Sequence, residues 1–283
     1  MIAVLLAVFA AASAFTGCGG AFDTSQAINV ISREDGSGTR GAFIELFGVE
    51  VKDADGNKKD MTTKEAVVAK QTDVMMTNVS GSQYAIGYIS LGSLNDTVKA
   101  LSIEGAAAST ENVKNGSYTV HRPFFIATKG TPGELAQDFI GFILSAEGQE
   151  VIGKSYIPIS ESPAAYAGGK PSGKIVVAGS SSVTPIMEKL KEAYLAINAG
   201  AAIEIQQSDS SAGMTSAIEG SCDIGMSSRE LKDSELAELT PTQIATDGIA
   251  VIVNKDNPVS NLSKEEIRAI FTGEILTWDS IIK

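Results

Sequence analysis

The chain has 283 residues, 43% of them apolar and 20% charged, with a formal net charge of −12. That length suffices for one large domain or two lobes with sizeable cores, and beyond the N-terminus no apolar run is long enough to cross a membrane. The acidic balance disfavours nucleic acid and anionic lipid as partners, and a single histidine, His121, all but removes histidine-based metal sites and Ser-His catalysis.

Residues 1–17 are apolar and rich in Ala, and run into Phe15-Thr16-Gly17-Cys18-Gly19-Gly20. The pattern resembles a bacterial lipoprotein signal peptide, with Cys18 lipidated as the new N-terminus and residues 18–27 as a tether. It departs from the usual form in two ways: no Lys or Arg precedes the apolar run, and Phe15 stands where Leu is usual. A plain secretory signal or a simple membrane anchor is the alternative. With Cys18 so used, Cys222 has no disulfide partner and reads as a buried structural thiol.

The folded part opens with the β-like run Ile28-Asn29-Val30-Ile31. Ser32-Arg33-Glu34-Asp35-Gly36-Ser37-Gly38-Thr39-Arg40 follows, and then a helical pattern over residues 42–47. A strand, a Gly/Ser/Thr turn and a helix make an anion site. Glycines let the backbone approach, the first helical N–H groups lack internal partners, and the helix dipole favours negative charge there. Ser37 and Thr39 add hydroxyl donors, and Arg33 and Arg40 add fixed positive charge. Residues 53–60 read as an exposed turn, 63–70 as a helix, and 85–91 as a buried strand, with Met75-Met76 in the core.

Further on, residues 118–126 read as a strand where the chain passes between lobes, with His121 structural and Phe124-Phe125 in the core. Residues 132–144 form an amphipathic helix whose Leu135, Phe139, Ile140 and Ile143 face a core. Residues 160–173, rich in Pro, Gly, Ala and Ser, form a flexible linker. A β-branched strand over 174–178 leads into Gly179-Ser180-Ser181-Ser182-Val183-Thr184-Pro185. Pro185 suits the first turn of a helix, and Ile186, Leu190, Tyr194 and Ile197 share one face of it. Ile203-Glu204-Ile205 leads into Ser208-Asp209-Ser210-Ser211-Ala212-Gly213 and a helix over 214–219. Residues 247–253 read as a core strand, and Trp278 as a packing residue near the surface.

Three strand-to-helix turns rich in Ser, Gly and Thr aim amides and hydroxyls at one region if the fold gathers them. None carries the Lys-Ser/Thr ending of a nucleotide P-loop, and no dinucleotide fingerprint follows the first strand. A small oxyanion therefore fits better than a nucleotide. No base is paired with the serines, so an enzyme ranks low, and no metal or other cofactor is expected.

These stretches, together with residues 222–229, 247–254, 270–275 and Trp278, resemble the phosphate-binding lipoproteins of phosphate ABC transporters (PstS-type). The resemblance implies an α/β, two-lobed periplasmic-binding-protein-like fold of type II with a hinge of two crossings. Residues 28–117 and 254–283 would form lobe II, and residues 118–253, with the linker 160–173, lobe I. The order is unlike the family's, in which the Gly-Ser-Ser-Ser strand comes first and the Arg33 segment follows the Trp segment. Each part appears once, so the arrangement reads as circularly permuted; a fragment of a longer tandem protein is the alternative. Permutation succeeds where the new ends lie in an exposed loop and the old ends are close.

The same resemblance assigns a site. Ser182 and Val183 match the first loop, which binds through a hydroxyl and a backbone N–H, and Ser210 matches the second loop's serine. Arg33, Asp35, Ser37, Gly38 and Thr39 match the loop of the other lobe, with Arg33 meeting the anion and Asp35 orienting it. Ser228 matches a position that in some relatives carries an Asp accepting the proton of hydrogen phosphate. With Ser228 there, discrimination against sulfate must rest on Asp35 or Asp209, or be weaker. Arg40, Ser181, Asp209 and Arg229 are rim candidates. The implied function is an extracytoplasmic, lipid-anchored protein that captures inorganic phosphate for an ABC permease. The alternatives are a binder of sulfate, molybdate or tungstate, and a surface or sensing lipoprotein without a transport role.

Overall fold

A computed structural model describes residues 22–282; the signal-like segment 1–17, Cys18 and the start of the tether lie outside the described residues. β1 (Asn29–Arg33) leads into α1 (Gly38–Leu46), and a hairpin of β2 (Glu50–Lys52) and β3 (Lys58–Asp60) follows. The Asp53 carboxylate organises the exposed hairpin turn, accepting from the N–H groups of Asp55 and Asn57 at 2.9 and 2.8 Å. Next come β4 (Val67–Ala69) and α2 (Thr72–Ser80). The helix expected over residues 63–70 is thus a turn and a strand. Val67 and Val68 are β-branched and pair in parallel with Ile31 and Ser32 of β1, and that pairing overrides the local pattern.

β5 (Ala85–Ser90) is buried at every position and is followed by β6 (Lys99–Ala100), β7 (Ser102–Ile103) and α3 (Thr110–Lys114). β8 (His121–Thr128) carries the chain into the second half. There α4 (Glu134–Leu144) and α5 (Ala146–Gly153) precede β9 (Ile157–Pro158), β10 (Gly173–Ser180), α6 (Thr184–Ile197) and β11 (Ala201–Ser208). α7 (Ser210–Glu219), β12 (Ile224–Ser227) and α8 (Asp233–Leu236) come next. The long β13 (Thr240–Val253), β14 (Asn261–Leu262) and α9 (Lys264–Thr272) complete the order.

One mixed sheet runs β11-β10-β12-β8-β13-β5-β1-β4. Its two ends are parallel triplets, β11-β10-β12 and β5-β1-β4, joined through the antiparallel β8 and β13. Parallel strands need cover on both faces, so each triplet builds its own core with its own helices. One core holds Phe43, Tyr88, Val120, Ile252, Phe271 and Trp278; the other holds Phe124, Phe139, Val177, Ile186, Tyr194 and Ala245. The chain passes between them at the start of β8 and within β13, between Ala245 and Ile249. This second passage comes before the expected Asn254, because residues 249–253 are zipped to β5 and pack in the first core.

Two packing expectations also shift. Trp278 is fully buried rather than near the surface, edge-on to Phe22 and donating its ring N–H to the Tyr84 carbonyl at 3.2 Å. Ile197 ends the apolar face of α6 largely in solvent. Cys222 is buried, and burial pushes its thiol up to about 11. Residues 22–28 lie against the last turn of the chain, where Ile28 N–H donates to Leu276 O at 2.8 Å and Asp279 N–H to Thr24 O at 2.7 Å. Among the described residues no helix is long and apolar enough to cross a membrane.

Candidate functional site

Arg33 is the last residue of β1 and is almost completely buried. The Tyr88 phenol, stacked on Phe43 at 3.8 Å, fixes that strand end by accepting from Arg33 N–H at 3.1 Å and meeting Ser32 Oγ at 2.9 Å. The guanidinium lies between the two cores. It pairs with both oxygens of Glu34 at 2.8 Å, donates to Ala69 O at 3.2 Å, and reaches across to Ser181 Oγ at 2.9 Å. A charge this buried persists only when paired and hydrogen-bonded, and Glu34 supplies the counter-charge.

Around it the starts of α1, α2, α6 and α7 converge. Gly36, at φ 89°, turns the chain so that Ser37 caps α1 and Gly38 and Thr39 enter its first turn. Thr39 Oγ1 lies 2.7 Å from Ser182 Oγ, and Thr72 Oγ1, at the start of α2, lies 3.4 Å from both Ser181 Oγ and Ser182 Oγ. Ser180 Oγ donates to Ser228 Oγ at 2.9 Å, and Ser228 N–H donates to Ser210 Oγ at 3.1 Å. Ser211 clasps the two halves, giving its N–H and its hydroxyl to Gly36 O at 3.2 and 3.3 Å. The result is a buried patch of hydroxyls around one guanidinium, with helix N-termini behind it. That combination favours a compact anion. Among the described residues no group of His, Cys, Asp or Glu could hold a metal ion.

Residues 21–147 and 164–282 match the PBP superfamily domain. The Phosphate-binding protein PstS 2 of Streptococcus agalactiae is 55% identical over 259 residues, covering 90% of this chain and 88% of that protein. The chain belongs to the PstS family of the PBP superfamily. A crystal structure of a phosphate ABC transporter phosphate-binding protein from Streptococcus pneumoniae is 47% identical, covers 90% of this chain and all of that one, and superposes with a TM-score of 0.71. Phosphate-binding protein PstS of Bacillus subtilis, by contrast, is 33% identical over only 125 residues, 43% of this chain and 42% of that protein.

In this PstS-family chain the structure gathers Arg33, Ser37, Gly38, Thr39, Ser182, Ser210 and Ser228, and it brings Ser181 in from the rim to meet Arg33. Two expectations fail. Asp35 does not orient anything at the site: its side chain is 99% exposed, 3.6 Å from Arg40, because the turn at Gly36 leaves it in water, where a carboxylate is well solvated. Val183 N–H is engaged inside its own turn, donating to Ser180 O at 3.0 Å. The rim candidates are occupied as well. Arg40 pairs with Asp60 at 2.8 Å, Arg229 forks onto both oxygens of Glu235 at 2.8 Å, and Asp209 caps α7 by accepting from Ala212 N–H at 2.9 Å. The sequence reading missed Thr72, Ser180 and Glu34. Thr72 had a signal, the Thr-Asp pair that opens α2, but the helix had been placed earlier in the chain.

Proposed function

We propose that this chain captures inorganic phosphate between its two halves and delivers it to an ABC permease, without catalysis. One observation carries the reading: hydroxyls from both cores and a fully buried Arg33 meet at one point. Arg33 and Thr39 come from one core, Ser181, Ser182, Ser210 and Ser228 from the other. Closing around the anion would desolvate it among fixed donors, and closure needs only rotation where β8 and β13 cross. Ser37, Gly38 and Thr39 at the start of α1 are the proposed backbone and hydroxyl ligands, and Thr72 joins them.

The reading extends to an extracytoplasmic protein held at the membrane by a lipid on Cys18, in line with the relatives' printed role and the sequence around that cysteine. A permuted gene order is also proposed. Supporting it, residues 22–28 hydrogen-bond to residues 276–279, as joined ends require. The family match breaks between residues 147 and 164, and the Bacillus relative aligns over less than half of either chain, whereas the streptococcal relatives align throughout.

The test is calorimetric titration of the full chain with phosphate after bound ligand is stripped. Saturable one-to-one binding is expected, and Arg33→Ala, which removes the one buried charge facing the anion, should weaken it by about 100-fold. A folded protein that gives no heat with phosphate would falsify the reading.

A further inference from the structure

The buried hydroxyl patch has a direction, and that direction bears on which protonation state of a tetrahedral anion it accepts; the argument rests on the phosphate reading above. The carboxylates near the patch are all committed elsewhere. Both oxygens of Glu34 are taken by Arg33, Asp35 faces solvent, and Asp209 accepts from the backbone of α7. What faces the anion is therefore N–H, guanidinium and neutral hydroxyl.

The hydroxyls are themselves ordered by their neighbours. Ser180 Oγ donates to Ser228 Oγ, so one Ser228 lone pair is used and its proton is left to point onward. Ser210 Oγ already accepts from Ser228 N–H and lies 3.4 Å from Ser228 Oγ, which leaves its own proton for a ligand. A hydroxyl rotor can turn a donor or a lone pair outward, but in this relay the lone pairs are spoken for. We infer that Ser180, Ser210 and Ser228 present donors only, so that the site takes fully ionised tetrahedral dianions as a class, sulfate alongside hydrogen phosphate. A carboxylate in this place would set acceptor against acceptor for sulfate. A serine imposes no such penalty and gives the P–OH proton of hydrogen phosphate no strong acceptor. Ser228 is thus the residue that sets selectivity.

The test is competition on the full chain: phosphate is bound first, then titrated with sulfate, with phosphate titrations repeated at pH 5.5 and 7.5. Sulfate is expected to displace phosphate with an affinity within about tenfold of it, and phosphate should bind more weakly at pH 5.5, where the monoanion dominates. Ser228→Asp should weaken sulfate by about 100-fold more than phosphate, while Ser228→Ala should weaken both alike. If Ser228→Asp does not fold, the wild-type competition still decides. Phosphate binding that a 1,000-fold sulfate excess leaves untouched, on the order of the discrimination that unpaired buried polar groups produce, overturns the inference and leaves the phosphate reading standing. A folded protein that binds neither anion overturns the phosphate reading itself.

Discussion

At the scale of single residues, the contact that closes the site is Gly38 against Ser228 and Ser210. A Cβ at position 38 would lie 2.6 Å from Ser228 Oγ and 3.0 Å from the Ser228 carbonyl carbon, and would press on Ser210 Oγ as well. Those neighbours belong to the opposite core, so a methyl group there opposes closure rather than folding. Gly38→Ala is expected to lower phosphate affinity by at least about tenfold. It should leave stability without ligand within about 1 kcal/mol, since Ala is the better helix former. Calorimetry paired with thermal unfolding of the ligand-free chain separates the two effects. Equal loss of both would show that the contact is structural. The Ser/Gly turns around Gly38 were legible in the sequence because helix starts declare themselves within a few residues. Side-chain direction was not: nothing in the spacing of Arg33 and Asp35 says that one turns inward and the other to water. Ser180 was passed over because its part depends on Ser228, 48 residues away.

Among elements, the periodic ones were read most faithfully. α4 buries Leu135, Phe139 and Ile143 at helical spacing, and α6 buries Ile186, Leu190 and Tyr194. β4 and the start of α2 were misplaced, since three residues of strand at a sheet edge leave little periodicity to read. The linker of residues 160–173 was expected to be loose, and its composition supports that expectation; the structure shows it strapped to α4 and α5. Tyr166 N–H donates to Glu147 Oε2 at 2.8 Å, and Gly169 N–H donates to Asp138 Oδ1 at 2.9 Å. Asp138 also accepts from the phenols of Tyr166 and Tyr194. One carboxylate therefore holds both the linker and α6. Asp138→Ala should cost about 1.5–3 kcal/mol, the range for hydrogen bonds to a charged group, and should expose the linker to protease. Urea unfolding and limited proteolysis check the two halves of that statement. A variant that loses stability but keeps a protected linker would place the value of Asp138 in α6 alone.

For the molecule as a whole, the passages between the two cores are tied by one buried ion pair. Arg122 of β8 and Asp247 of β13 are direct cross-strand partners, with Arg122 Nη2 3.3 Å from Asp247 Oδ2 and Gly92 N–H donating to Asp247 Oδ1 at 3.2 Å. Arg122 Nε and Nη1 and the Tyr156 hydroxyl make no other bond there, so the pair is under-bonded for its depth. Burial raises the Asp247 carboxyl to about 6 despite the pull of Arg122, and burial lowers Arg122 to about 10. A carboxyl whose folded pKa lies above its unfolded value of 3.8 contributes stability that is complete below pH 3.8 and is lost as pH rises through 6. Asp60 and Glu235, whose carboxyls are held below the ordinary range, act in the opposite sense: they contribute stability that is present above their unfolded values and is lost on acidification. The double variant Arg122→Met/Asp247→Leu removes the first effect and spares the second. Its stability relative to wild type should rise between pH 4 and 6, leaving it about 1–4 kcal/mol more stable at pH 7. Arg122→Met alone strands the carboxylate and should lose about 3 kcal/mol or more at pH 7, with a smaller deficit at pH 4.5, where Asp247 is protonated. Urea unfolding of the three proteins across that range reads both signs. A double variant that tracks wild type in parallel from pH 4 to 7 would mean that the Asp247 carboxyl titrates in the folded protein as it does in the unfolded chain.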